Sequence, residues 1–166
     1  ATNRGKKMAE LVKGSEAPDF SLPSDGGGEV KLSDLRGKIV VLFCYPKDDT
    51  SGCTAEAIDF SALRGGFEAI GAVVIGLSPD SPKSHDKFKA KHELNVQLAS
   101  DQEKEALQAY GVWVEKSMYG RKYMGVERST FLIDKNGKIA EMWRKVKVPG
   151  HAQAVLTAAQ NLSKEG

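Results

Sequence analysis

Lys38-Ile39-Val40-Val41-Leu42-Phe43-Cys44-Tyr45-Pro46-Lys47-Asp48-Asp49-Thr50-Ser51-Gly52-Cys53-Thr54 reads as a buried strand that passes through a short polar loop into a helix. From Ile39 to Tyr45 seven apolar residues stand in a row, so both alternating faces are apolar. A strand of that kind needs cover on two sides, which in practice means helices above and below a sheet. Beyond the loop, Cys53, Ala57, Phe60, Leu63 or Arg64, and Phe67 recur at three- to four-residue spacing, the stripe of an amphipathic helix. Thr50 or Ser51 is placed to cap that helix, which puts Cys53 in its first turn. Open α/β sheets carry their sites at such carboxyl ends of strands.

Working outward, Ala72-Val73-Val74-Ile75-Gly76-Leu77 is a second buried strand, and Ser129-Thr130-Phe131-Leu132-Ile133 a third. The third runs into Asp134-Lys135-Asn136-Gly137, a strong hairpin turn, with a partner strand over Lys138 to Arg144. Upstream, Ser24-Asp25-Gly26-Gly27-Gly28 is the turn of a hairpin between Phe20–Leu22 and Val30–Leu32. Ser81 to His92, Gln102 to Tyr110 and Gly150 to Leu162 read as helices, with a short strand near Val96–Leu98. Parallel strands with helical crossovers, closed by an antiparallel hairpin, imply an α/β/α three-layer sandwich with a mixed sheet and an N-terminal β-hairpin. A thioredoxin-like topology fits that order. The 166 residues suit one domain with its own core, taken as 13–166. Residues 1–12 read as an extension or tag remnant, because those before Met8 carry no apolar pattern.

Composition narrows the class. Apolar residues make up 40% and charged residues 28%, the balance of a globular protein. Lys plus Arg number 24 against 22 Asp plus Glu, a net charge of +2, which argues against a nucleic-acid coat. An apolar run of seven residues falls far short of the roughly 20 that a membrane helix needs. No apolar segment follows Arg4, Lys6 and Lys7, so no secretory signal is expected. The two cysteines, Cys44 and Cys53, fit neither a disulfide scaffold, nor a zinc framework, nor a C-x-x-C exchange motif. Such sparse usage suits a reducing compartment, and a cytoplasmic location is the expectation.

A free thiol ionises near pH 8.5 and is only a few per cent thiolate at neutral pH. Helix N-termini and nearby cations bring thiols to about 3.5–7.5. A cysteine in a first helical turn, on the apolar face and so partly enclosed, is therefore a candidate nucleophile, and Cys53 is one.

The run Pro46-x-x-x-Thr50-x-x-Cys53, with Arg128-Ser129-Thr130-Phe131-Leu132-Ile133-Asp134, resembles the active-site motifs of the peroxiredoxins. Tyr45-Pro46-Lys47-Asp48-Asp49-Thr50, Gly52-Cys53-Thr54-x-Glu56, Ser78-Pro79-Asp80-Ser81 and Trp143-Arg144-Lys145-Val146-Lys147-Val148-x-Gly150-His151 are similar to the bacterioferritin-comigratory or PrxQ subfamily, over about residues 13 to 162. The resemblance implies a thiol-dependent peroxidase that acts on hydrogen peroxide and organic hydroperoxides without haem, flavin or metal. Cys53 would be the peroxidatic cysteine, oxidised to a sulfenic acid. Thr50 would orient the peroxide, Arg128 would stabilise thiolate and leaving oxygen, and Pro46 would shield the sulfur. Gly52 and Tyr45 are assigned to peroxide binding, with the Gly52 and Cys53 backbone N–H groups as donors. The chain also departs from the pattern. The position five residues after Cys53, where many members carry a resolving cysteine, is Ile58. The stretch Lys83-Ser84-His85 has none either, and Ser51 stands where proline is usual. The resemblance thus implies a one-cysteine enzyme reduced by an external thiol, thioredoxin or a glutaredoxin/glutathione system, acting as a monomer or weak homodimer. A non-enzymatic peroxide sensor or holdase on the same fold is the alternative.

The remaining candidates have plainer readings. Cys44 ends a buried strand and is either a small core residue or a resolving partner for Cys53, which would require Cα atoms within about 7 Å. Asp48 and Asp49 read as a solvated loop, and Glu56 as a favourable acid near a helix start. His85, His92 and His151 show no metal-ligand spacing and read as surface or capping residues. Lys83, Lys87, Lys89 and Lys91 make a solvated basic helix face, with reductant docking as a second reading. Trp113, Tyr119, Tyr123 and Trp143 read as packing residues or the rim of an opening for bulky peroxides.

Overall fold

A computed structural model describes residues 10–165, so residues 1–9 of the expected extension lie outside the described residues. Five strands form one mixed sheet in the order β5-β4-β3-β8-β9. Here β3 is Val40–Cys44, β4 Val73–Ser78, β5 Gln97–Ser100, β8 Ser129–Ile133 and β9 Ile139–Arg144. Strands β3, β4 and β5 run parallel, while β8 pairs antiparallel with β3, and β9 with β8. As expected from its uninterrupted apolar run, β3 is central and buried at every residue. Its side chains alternate between two cores. Val40, Leu42 and Cys44 enter one; Val41, Phe43 and Tyr45 enter the other.

The second core is covered by α1 (Ser51–Ala62), α2 (Arg64–Ala69), α3 (Pro82–His92) and α5 (His151–Glu165), through Cys53, Phe60, Phe67, Phe88 and Val155. The first is covered by the short α4 (Glu105–Ala109) and by the hairpin β1 (Ser21–Pro23) and β2 (Glu29–Lys31), through Phe20, Val30, Leu107 and Tyr110. The result is the three-layer thioredoxin-like sandwich. Leu11, within the stretch read as an extension, packs against this core. No helix among the described residues is long and apolar enough to cross a membrane.

Three elements differ from the sequence reading. The helix after the loop breaks at Leu63, whose ψ of 12° leaves the helical region. Glycine is a poor helix former, and Gly65-Gly66 follows the break. Gly66 also lies so near α5 that a Cβ there would meet Leu156 Cδ2 at 2.8 Å. The helix expected from Gln102 starts only at Glu105, because Lys104 is left-handed and the Asp101 carboxylate accepts the Leu107 N–H at 2.7 Å. Finally, β6 (Trp113–Met118) and β7 (Arg121–Val126) form a separate antiparallel ribbon. Tyr119-Gly120 turns it with φ of 52° and 78°, the paired positive values of a type I′ turn. Tyr119 is 98% exposed and Tyr123 also faces solvent.

Candidate active site

The loop after β3 is tied down at both ends. Tyr45 donates its N–H to the Leu77 carbonyl at 3.0 Å, and at the far end Thr54 closes the first bond of α1 onto the Thr50 carbonyl at 2.8 Å. Thr50 occupies the N-cap position, but its hydroxyl makes no cap. It donates to the Lys47 carbonyl at 2.9 Å, cinching the loop, so the expected side-chain cap is not what Thr50 provides. Cys53 is the third residue of α1 and 1% exposed, among backbone N–H groups that have no partner within the helix.

Arg128, the residue before β8, reaches this helix start from across the sheet. Its Nη2 lies 3.4 Å from the Cys53 sulfur and its Nη1 donates to Glu56 Oε1 at 2.7 Å. Gly52 makes room for it, since a Cβ there would stand 3.0 Å from Nη2. Burial works against the guanidinium charge, but the facing Cys53 sulfur and Glu56 carboxylate outweigh it, so Arg128 holds its proton more firmly than usual. Glu56 is pushed up to about 7, because burial of its carboxyl outweighs the attraction of Arg128. Its Oε2 is buried without a hydrogen-bond partner.

Several residues stand elsewhere than the sequence reading placed them. Asp48 is not solvated but 7% exposed. It accepts from the Tyr45 hydroxyl at 2.6 Å, the Ser84 hydroxyl at 2.7 Å and His85 Nδ1 at 2.8 Å. His85 is fully buried, not a surface residue. His151 is buried too, and its Nε2 pairs with the Thr130 hydroxyl at 2.8 Å. Burial, and then the Arg128 charge, push His151 down to about 4, so at neutral pH its ring is uncharged. Asp49 fits the solvated reading and binds Lys91 and His92. Pro46 is half-buried in the loop. Tyr45 is fully buried, packed against Phe43, Phe88 and His85, with its hydroxyl spent on Asp48.

Cys44 points into the core opposite the one that holds Cys53. Burial pushes its thiol far above the ordinary range, which leaves it inert at neutral pH. Lys116, which the sequence reading did not single out, enters from the β6–β7 ribbon with its stem against Gly125. Burial and the Arg128 charge pull Lys116 below the usual lysine range. Oxygen and nitrogen atoms of Asp48, Asp80 and His85 lie within 4.8 Å of one another. Hydrogen bonds already engage them: Asp80 Oδ2 takes both the Ser78 hydroxyl and the Asp48 N–H.

One cysteine buried at the start of a helix, under an arginine delivered from the next strand of a thioredoxin-like sheet, defines a thiol-based redox protein. The AhpC/TSA family model matches residues 13–142, and the chain belongs to that family. It is 49% identical over 152 residues to the peroxiredoxin Bcp of Bacillus subtilis, covering 92% of this chain and 97% of that one. Among solved structures it is similar to Xanthomonas campestris peroxiredoxin Q, with 44% identity, a TM-score of 0.83 and coverage of 87% and 91% of the two chains. A cysteine-to-serine variant of Xylella fastidiosa PrxQ aligns with a TM-score of 0.87 at 40% identity, over 93% of this chain and 98% of that one. Its relatives within the family are thus peroxiredoxins of the Bcp/PrxQ kind, a family of thiol peroxidases.

Proposed function

We propose that Cys53 is the peroxidatic cysteine of a one-cysteine peroxidase that relies on an external thiol. The observation that carries this reading is the Arg128 Nη2 at 3.4 Å from the Cys53 sulfur, a fixed cation where negative charge is held and transferred. The thiolate attacks one peroxide oxygen, an S–O bond forms as the O–O bond breaks, and the electron pair leaves on the distal oxygen. That oxygen takes up a proton and departs as water or alcohol, leaving Cys53 as a sulfenic acid. Arg128 steadies the sulfur and the departing oxygen. The Thr50 hydroxyl and the N–H groups at the start of α1 orient the peroxide, and Pro46 excludes water. A thiol from thioredoxin or from the glutaredoxin/glutathione system then displaces water from the sulfenic acid. A second thiol releases Cys53 from the mixed disulfide. Xanthomonas campestris bacterioferritin comigratory protein, 42% identical, has been studied for alkyl peroxide reduction, which supports organic hydroperoxides as substrates here.

The cysteine inventory supports the external thiol. Cys44 and Cys53 are both free and face opposite cores, and positions 58 and 83–85 hold no thiol. Intact mass after one equivalent of hydrogen peroxide, with dimedone present, tests it. The adduct should persist in Cys44→Ser and vanish in Cys53→Ser. A loss of two hydrogens with no adduct, abolished in either variant, would instead make Cys44 the resolving partner. Repeated NADPH oxidation with a thioredoxin or glutaredoxin system should accompany peroxide consumption. A single equivalent per chain would speak for a sensor.

A further inference from the structure

Asp48 lies midway along the loop that presents Pro46 and Thr50, and it is buried. A buried carboxylate is costly unless its oxygens are hydrogen-bonded, and here both are. Oδ1 takes the Tyr45 hydroxyl at 2.6 Å, and Oδ2 takes the Ser84 hydroxyl at 2.7 Å and His85 Nδ1 at 2.8 Å. On the other side of the imidazole, Nε2 lies 3.0 Å from the Ala99 carbonyl oxygen. A carbonyl oxygen only accepts, so Nε2 carries a hydrogen. Nδ1 faces a carboxylate oxygen, so it carries one as well. His85, with 0% exposure, is therefore bonded at both ring nitrogens between β5 and the loop, an arrangement that favours the imidazolium.

The groups that face His85 agree with that state. Asp48 faces it from the loop, Asp80 from the turn after β4, the Tyr45 ring from the residue just after β3 and the Ala99 carbonyl from β5. Burial alone would pull the imidazole down, yet Asp48 and the Ala99 carbonyl outweigh it and hold it above the ordinary histidine range. The loop has no other anchor of comparable strength on α3. Its remaining ties there, from Asp49 to Lys91 and His92, are exposed and worth little.

We propose that Asp48 and His85 form an ion-paired clamp between the loop and α3, and act as positioning residues that hold Thr50 where it reads the peroxide. This rests on the reading of Cys53 as the peroxidatic cysteine. The coupling is short, because the Thr50 hydroxyl donates to the carbonyl of Lys47, whose peptide continues into Asp48. The contact between Arg128, Cys53 and Glu56 is built from α1 and the residue just before β8, without the clamp. Releasing the clamp should therefore separate two chemistries. Attack on peroxide, which needs Thr50, slows; alkylation by iodoacetamide, which needs only the sulfur and its surroundings, does not.

The test compares second-order rates with hydrogen peroxide and with iodoacetamide in wild type, His85→Asn, Asp48→Asn and Ser84→Ala, with circular dichroism to verify folding. In His85→Asn and Asp48→Asn the ratio of peroxide to iodoacetamide rate should fall by about tenfold or more, a loss typical of a misplaced positioning group. Ser84→Ala removes one of three donors and should lower the ratio by about threefold; it decides the matter if the other two variants do not fold. In wild type the ratio should also fall as pH rises through the His85 pKa, since a raised pKa gives a contribution present at low pH and lost above it. That limb should be absent in His85→Asn. An unchanged ratio in folded variants, or a parallel loss of both rates, overturns the clamp while leaving Cys53 as the nucleophile. A wild-type ratio no higher than that of a free cysteine peptide overturns both.

Discussion

At position 52 a missing side chain lets a guanidinium reach a sulfur, because a Cβ at Gly52 would crowd Arg128 Nη2 at 3.0 Å. The same guanidinium is held by Glu56, three residues after Cys53, whose carboxyl is buried and pushed up to about 7. Between the ordinary carboxyl value of 4.5 and about 7, the folded chain keeps a proton that the unfolded chain has already released. Stability from this group is therefore present at the acid end and lost as pH rises across that interval, by about 3 kcal/mol. Glu56→Gln keeps an oxygen for Arg128 Nη1 but cannot titrate. Urea unfolding at pH 4.5 and 7.5 should show wild type losing about 3 kcal/mol more than Glu56→Gln between the two. Parallel behaviour of the two proteins would contradict the buried, proton-retaining state of Glu56. Neither its burial nor its titration was legible in the sequence, where it read as an acid at a helix start. The juxtaposition of Cys53 and Arg128, far apart in sequence, came through the motif resemblance and not through spacing.

Among the elements, β4 is constrained from three sides. A Cβ at Gly76 would meet Phe43 Cζ at 2.8 Å, Leu98 Cδ2 at 2.9 Å and Tyr45 Cε1 at 3.1 Å. Phe43 stacks on both Tyr45 and Phe60, so these rings cannot yield without disturbing α1. Gly76→Ala should cost about 1–3 kcal/mol, the usual penalty for overpacking a core, read as a lower denaturant midpoint with an unchanged slope. Because Tyr45 also holds Asp48, the same variant should slow peroxide attack more than it slows alkylation. Elements of this kind were the legible ones: β3, β4 and β8 are apolar on both faces, and that pattern fits little except a covered sheet. The break at Leu63, the late start of α4 and the β6–β7 ribbon were not, because each depends on a local φ or on a pairing between polar strands. α3 was legible as a helix but not in what it buries. His85 and Phe88 are three residues apart and share its inner face, and that spacing was a signal available amid the lysines. Nothing local to Asp48 announces its burial, since the Ser84 and His85 donors that permit it lie 36 and 37 residues away.

Over the whole molecule, stability should be graded from the sheet centre outward. Strands β3 and β8 are buried at every residue, and β3 is paired on both edges, so their amides open only when the domain unfolds. The β6–β7 ribbon pairs only with itself, and most of β7 is exposed; an isolated two-stranded ribbon is marginal in water. Its tip displays Met118, Tyr119, Tyr123 and Met124, each at least 43% exposed. In native-state hydrogen exchange the amides of Glu115 to Tyr123 should therefore exchange at least about 100-fold faster than those of Val41 to Phe43, with the latter reporting global unfolding. Arg128 reaches the site from the segment joining β7 to β8, so opening of the ribbon need not release it, and its contact with Cys53 should outlast the ribbon's protection. Protection in the ribbon equal to that of β3, growing with protein concentration, would mean that the exposed methionine and tyrosine side chains are covered by a second copy. The grading would then hold for the dimer and not for the single chain.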